Sequence, residues 1–270
     1  MRIESLTVYP VRSCAGVEVD WMRIEWYGPR LDRQFMLVDL EGRPLEQKDH
    51  PKLCLIKTHL PCNSHTLMIT AGSAAAEIRL NNREGDLRSV ILEDEVCTAI
   101  DQGDRVAEFF SNAISMPCRL VRYDPYRFPR SRWSDTLHQR IPVSFTYYPL
   151  LVISRESLDD LNTRLEKPLS MDRFRPNMVV VSDRESTKPY EEDKWPEIKI
   201  HDVVLQGANR CARCAVTTTN QQTAKRGKEP LRTLAMYRRQ GNKVFFGRNF
   251  IVKPGCGGLI HINDPIEIPA

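Results

Sequence analysis

Met1-Arg-Ile-Glu-Ser-Leu-Thr-Val-Tyr9-Pro10-Val11-Arg12-Ser13-Cys14-Ala15-Gly16 opens the chain in a strand-like alternation and then breaks into a turn bounded by proline and glycine. A period near two marks a strand with one face buried. The stretch also lacks the apolar core of a secretory signal, so the chain is expected to enter its fold directly. Working outward, short β-branched runs between turn residues recur around 35–39, 51–59, 65–70, 88–92, 118–123, 149–154, 177–182, 198–206, 215–219, 243–251 and 259–268. They predict a mainly β protein with a few helices. One helix follows Asp101 or Asp104, a second starts at Ser157 with Asp160 as its capping-box partner, and a third starts near Pro230.

With 270 residues, 41% hydrophobic and 27% charged, the chain can bury one large core or two modest ones. No run approaches the roughly 18 to 20 apolar residues that span a bilayer, so no membrane partner is expected. The eight cysteines are irregularly spaced and follow no signal, which points to a reducing compartment, the cytoplasm. The stretch Tyr123-Asp-Pro-Tyr-Arg127-Phe-Pro-Arg130-Ser-Arg132-Trp is proline-rich and basic. It marks the boundary between a β-rich unit over 1–123 and a second unit over 124–270. Its arginines suit a small phosphorylated anion rather than nucleic acid, or are the solvated charges of a linker.

Cys211-Ala-Arg-Cys214 is a place to hold a metal or to do thiol chemistry. The thiolate is the form that ligates or attacks, and Arg213 between the two thiols favours it. A structural zinc site needs four ligands. The other cysteines, Cys14, Cys54, Cys62, Cys97, Cys118 and Cys256, are single, and His201 and His261 stand apart. A thioredoxin-type pair would open a helix, whereas Ala215-Val-Thr-Thr-Thr219 is β-branched and reads as a strand leaving the motif. A single-thiolate metal or cofactor site and a pair of ordinary buried thiols both fit this spacing.

Arg12, Ser13 and Gly16 are the parts of an anion clamp or of a plain β-turn. Asp32-Arg33 is a surface ion pair, or an arginine aimed at whatever Arg12 holds. In Arg173-Phe-Arg175-Pro176-Asn177 the proline is expected to keep Arg175 and Asn177 extended. That offers a rigid guanidinium and a two-way amide to a polar heterocycle with a phosphate tail, although a connector with solvated arginines fits equally. The glycines of Phe246-Gly-Arg-Asn249-Phe and Lys253-Pro-Gly255-Cys-Gly-Gly258 admit a ligand close to the backbone or turn a hairpin.

Taken together and in order, these motifs resemble the MOSC family, the molybdenum-cofactor-sulfurase C-terminal domain proteins. The branch is that of the mitochondrial amidoxime-reducing component and its bacterial relatives. Pro149-Leu-Leu-Val-Ile-Ser154, Ser157-Leu158, Leu161-Asn162, Thr217-Thr218, Glu229-Pro-Leu-Arg-Thr-Leu234 and Gly258 through Asp264-Pro265 extend the resemblance over nearly the whole chain. It implies a MOSC β-barrel domain joined to an N-terminal β-rich module, with a molybdenum–molybdopterin cofactor between them. It assigns the metal and the catalysis to Cys214, with Cys211 supporting. Arg12 and Ser13 fall where the family holds the phosphate side of the pterin, with arginine at position 12 in place of the lysine of the mitochondrial relatives. Arg175, Asn177, Arg213 and Arg33, or Gln34 in place of Arg33, join the cofactor set. Asn249 joins it too, where the mitochondrial relatives carry tyrosine.

The reaction implied is reduction of small N-hydroxylated compounds such as hydroxylamines, amidoximes and N-hydroxylated bases, a detoxifying chemistry. The sequence contains neither Gly-x-Gly-x-x-Gly after a strand nor Cys-x4-Cys-x2-Cys. Electrons are therefore expected from a separate flavin or iron–sulfur protein, steered by Arg122, Arg127, Arg130 and Arg132. Two other readings stay open: a sulfur carrier with a persulfide on Cys214 or Cys211, and a cofactor-binding protein without turnover.

Overall fold

The computed structural model describes residues 1–60, 65–92, 95–182 and 187–269; Cys62 lies outside them. The elements that position the site are strands β1 (Arg2–Val8), β2 (Phe35–Val38), β3 (Leu150–Ser154), β4 (Met178–Val181), β5 (Val203–Ala212) and β6 (Lys243–Val252). Helices α1 (Asp104–Ile114), α2 (Arg155–Thr163) and α3 (Leu231–Tyr237) accompany them. The architecture is mainly β, as the alternation predicts.

The largest sheet runs Glu197–Ile200, β5, β6, β3, β4, β1, Val17–Val19, with β3 and β4 parallel and the remaining pairs antiparallel. β3 is apolar on both faces. Leu150 and Val152 enter a cluster with Ile3, Leu6, Met178 and Phe250, whereas Leu151 and Ile153 enter another with Leu158, Leu161, Phe174 and Phe246. Each such side chain contributes roughly 1.5–3 kcal/mol on burial, so a central strand covered on both sides reads as a continuous apolar run.

β2 leads a four-stranded sheet with Arg119–Arg122, Glu95–Asp101 and Leu87–Leu92. α1 covers it by packing Val106 and Phe110 onto Phe35 and Leu37. The two sheets meet where β1 ends. The Phe35 amide donates to Pro10 O (3.0 Å), and the Arg12 amide donates to Phe35 O (2.8 Å).

The division at 123/124 is a proposal about sequence, because in space the first strands cross over. β1 pairs with β4, and Trp21–Glu25 pairs with Gly258–His261.

Several local expectations are corrected. Ala215–Thr218 is a 3-10 helix rather than a strand. The Thr217 and Thr218 hydroxyls donate to Cys214 O (3.0 Å) and Ala215 O (2.8 Å), and such back-bonding competes with a ladder. Pro51–Leu55 is also 3-10, with proline at its first turn, and only Lys57–His59 of 51–59 is a strand. Of 259–268, only Gly258–His261 forms one.

α2 starts at Arg155, not Ser157. Ser154 caps it by accepting from the Ser157 amide (3.2 Å), and Asp160 instead binds Arg164. Ala74–Arg79 is a strand that its alanine-rich sequence does not announce, because pairing with Thr66–Ala71 overrides propensity.

Candidate functional site

β5 carries the two-cysteine motif to its end, where the Arg213 amide donates to Val244 O (2.8 Å) and Cys214 begins the 3-10 turn. The two thiols are not equivalent. Cys211 packs partly buried beside the Phe246 cluster and accepts from Arg213 Nη1 at 2.9 Å. Cys214 is exposed, and its sulfur has no hydrogen-bond partner among the described residues. Arg213 also donates to Phe174 O. The hydrogen bond of Arg213 thus reaches Cys211 rather than both thiols.

Facing this turn is a knot at the end of β1. The guanidinium carbons of Arg33 and Arg175 lie 4.3 and 4.2 Å from the centre of the Tyr9 ring, within cation–π reach. Burial pushes the Tyr9 hydroxyl up to about 12, so it stays a neutral platform. Arg33 donates to Asp32 Oδ2 (2.5 Å), Asn177 Oδ1 (3.0 Å) and Arg175 O (3.2 Å). Arg33, not Gln34, belongs to this knot, for Gln34 donates to the Tyr27 hydroxyl (2.8 Å).

Arg175 is not extended. Its φ is 55°, where the Met171–Arg173 turn closes with the Arg175 amide on Asp172 O (3.2 Å). This conformation carries the guanidinium to Tyr9. Arg175 is 9% exposed and forms no ion pair among the described residues; burial lowers its pKa. Asn177 has no capacity left for a ligand. Its Oδ1 accepts from Arg33 and the Leu151 amide, and its Nδ2 donates to Thr7 O and Asp32 Oδ1. It positions Arg33 and joins β1 to β3.

Arg12 and Ser13 stand on the neighbouring turn, Ser13 with φ 72°. Arg12 is paired with Glu46. Burial works against the Glu46 carboxylate, yet Arg12 and Lys48 hold it below the usual range. Ser13 Oγ accepts from the Gln47 amide (3.1 Å). A Cβ on Gly16 would meet the Tyr9 ring at 2.6 Å, which explains glycine there.

Asn249 lies opposite Leu151 on β6 and donates to Asn209 Oδ1 (3.1 Å). Arg173 is a residue that the sequence reading left among solvated arginines. Partly buried, it donates to Thr217 O (3.3 Å), ties the knot to the Cys214 turn, and forms no ion pair among the described residues. Burial lowers its pKa also. Burial pushes the Cys14 thiol up to about 12 and raises Cys54, and Arg175 opposes both shifts.

The expected basic surface is corrected as well. Arg122 is buried and donates to Asn82 O (2.8 Å), and Arg130 donates to Ser144 O. Of that group, Arg127 is exposed and Arg132 lies partly exposed over Tyr147.

An exposed soft thiol thus stands near a partly buried guanidinium, Arg173, and a buried one, Arg175, neither in an ion pair among the described residues. That donor set suits an anionic ligand with a thiophilic metal.

Residues 1–117 match the MOSC N-terminal beta barrel domain and residues 142–267 match the MOSC domain. The chain is 31% identical over 288 residues to mitochondrial amidoxime-reducing component 1 of Homo sapiens, covering 98% of this chain and 82% of that protein. It is 32% identical over 277 residues to molybdenum cofactor sulfurase of Arabidopsis thaliana, covering 91% of this chain and 32% of that protein. The chain therefore spans about a third of the sulfurase's length. Among solved structures, the YUAD protein from Bacillus subtilis aligns with a TM-score of 0.42 and 10% identity over 98% of this chain and 93% of that one.

Proposed function

This chain belongs to the MOSC-domain family, and from that premise we propose that it is a molybdenum-cofactor-dependent reductase of small N-hydroxylated compounds. The observation that carries the proposal is an exposed Cys214 without a hydrogen-bond partner, near the guanidiniums of Arg173 and Arg175 without an ion pair, among the described residues. When bound, the molybdenum centre supplies two-electron chemistry at an N–O bond.

Cys214 would hold the metal, because a soft thiolate suits it better than an oxygen donor. Arg175, with Arg12 and Ser13 on the adjoining turn, would hold the anionic end of the pterin. Arg33, Asn177 and Arg213 fix the walls. Tyr9 supplies a neutral face. Asn249, on β6 beside β3, would line the cofactor's surroundings with Asn209.

The net change converts an N–OH group, two electrons and two protons into N–H and water. The electrons come from a separate flavin or iron–sulfur donor.

The exposed thiol also fits a persulfide carrier, a reading favoured by the sulfurase match. Buried guanidiniums without counter-ions speak against it, since a persulfide on the exposed Cys214 has no use for them. The test uses protein from a cofactor-competent host. Elemental molybdenum, fluorescence of the oxidised pterin and turnover of an amidoxime with an artificial donor are the expected results. Protein without molybdenum that nevertheless transfers sulfur would overturn the proposal.

A further inference from the structure

The turn that carries Cys214 runs directly into a basic loop, Asn220-Gln-Gln-Thr-Ala-Lys225-Arg226-Gly-Lys228. The loop folds back on that turn. The Gly227 amide donates to Thr218 O (3.0 Å), the Asn220 amide donates to Lys225 O (2.8 Å), and Thr219 bridges Arg226. Asn220 Oδ1 accepts from the Gln222 and Thr223 amides, both at 2.9 Å. The loop is thus tied at several points to the turn of the exposed thiol.

Lys225, Arg226 and Lys228 are exposed, and none forms an ion pair among the described residues. The carboxylates of neighbouring segments are already engaged: Glu46 with Arg12 and Lys48, Asp172 with Ser170 and Gln222, Glu229 with Arg232 and the Thr233 amide. Arg226 is more than a solvated charge. Its Nη2 donates to Gln47 O (3.1 Å) and Lys48 O (2.7 Å), in the segment that meets the Arg12 turn through Ser13. A guanidinium fixed by two carbonyls has already given up rotamer freedom, yet its Nη1 and Nε have no partner among the described residues. A planar fork held in this way suits phosphate, which accepts from two donors at once. Arg226 therefore stands on the rim that joins the two walls of the site.

We propose that Arg226, flanked by Lys225 and Lys228, binds a phosphate group of the substrate, so that this protein prefers N-hydroxylated nucleotides to free bases and neutral amidoximes. Arg175 and the Arg12 turn serve the anionic end of the cofactor, whereas a compound reacting beside Cys214 has this loop as its neighbour. The inference rests on the function proposed above.

The test uses holoprotein from a cofactor-competent host, an artificial electron donor, and two substrates that differ only in the phosphate, N-hydroxylated cytidine and its 5′-monophosphate. Wild type should show a KM roughly tenfold lower for the monophosphate at low salt, with similar kcat, and the gap should narrow as salt rises. Arg226→Gln should lower kcat/KM for the monophosphate about fivefold, and Lys225→Gln combined with Lys228→Gln about threefold, since exposed charge pairs are weak. The nucleoside should react as with wild type. Equal KM values for the two substrates in wild type would overturn the inference. So would an equal loss on both substrates in Arg226→Gln, which would make Arg226 a staple between the halves, or a fall in its pterin content, which would make it a ligand of the cofactor. Should Arg226→Gln fail to fold, the double lysine variant decides alone by the same ratio. Wild-type protein that holds no molybdenum, or that reduces neither substrate, would instead bring down the parent proposal.

Discussion

Two regions of this molecule are rich in arginine, and they differ in what answers the charge. Between Arg119 and Arg132 the arginines crowd together in sequence and are met internally. Arg119 binds Asp101 and Asp104, both at 2.6 Å, Arg122 and Arg130 donate to carbonyls, and Arg132 lies 5.0 Å from the Tyr147 ring centre. Around Tyr9 stand Arg33 and Arg175, from separate segments, with Arg173 on the same turn as Arg175; Arg173 and Arg175 form no ion pair among the described residues. A dense basic run is therefore poor guidance to an anion site. Burial without an ion pair is no sufficient guide either, since buried Arg122 also forms none among the described residues; what sets the second region apart is the exposed Cys214, joined to it through Arg173 and Thr217.

The sharpest break of this comparison uses the thiol that the second region serves. Cys214→Ser should lower molybdenum-dependent turnover by more than about 100-fold, beyond the 10–100-fold typical of a residue that only supports a ligand. Cys211→Ser should cost no more than about tenfold, the low end of that range, because Cys211 meets Arg213 rather than the metal. Equal losses in a steady-state assay would sink the distinction between the two sulfurs.

Next in size is the clamp. Arg175→Ala should weaken cofactor retention by about 10- to 100-fold, the worth of a charge-assisted hydrogen bond. Arg12→Ala should cost less, since Glu46 already occupies Arg12. Arg122→Ala should leave retention alone while lowering the thermal midpoint. Equal retention in all three, measured by pterin release, would erase the contrast between the regions.

A smaller effect concerns the partner. With Arg122 and Arg130 turned inward, steering rests on Arg127 and Arg132, so turnover with a protein donor should fall only a few-fold between low and physiological salt. Arg127→Glu should flatten that dependence. A steep slope that survives the substitution would place the docking surface elsewhere.

The smallest effect is on the acid limb of stability. Burial works against the Asp101 carboxylate, but Arg119, the Gly103 amide and Arg88 hold it below its ordinary value. A depressed carboxylate adds stability that is present above about pH 4, the unfolded value, and is lost as pH falls through the folded one. Asp101→Asn should therefore flatten the loss of stability below pH 4 in urea titrations. Arg175→Ala, whose guanidinium answers no carboxylate, should leave that limb as in wild type.

Much of this was legible in the chain. A strand over 149–154 and a helix after Asp101 or Asp104 could be read from pattern, while Cys214 and Arg175 entered the candidate site through motif and resemblance. The conformation of Arg175 could not, for a residue before proline is expected to be extended and here a 3-10 turn overrides that preference. Neither could the choice between Arg33 and Gln34, which depends on which one Asn177 meets across the sheet. The run Ala215–Thr219 misled because β-branching favours strands while threonine hydroxyls also favour local turns.

The antiparallel pairing of β1 with β4 has a consequence for biosynthesis. At 5–20 residues per second, residue 178 leaves the ribosome on the order of ten to thirty seconds after residue 8. Throughout that interval β1 has only Val17–Val19 as a local partner, and the edge that β4 will take stays bare, exposed to pairing with other nascent chains. Trp21–Glu25 waits longer still, for Gly258–His261. Residues 2–8 and 21–25 thus wait long for these partners, and a chaperone that shelters that segment as it emerges should raise the yield of this protein more than one that acts after release.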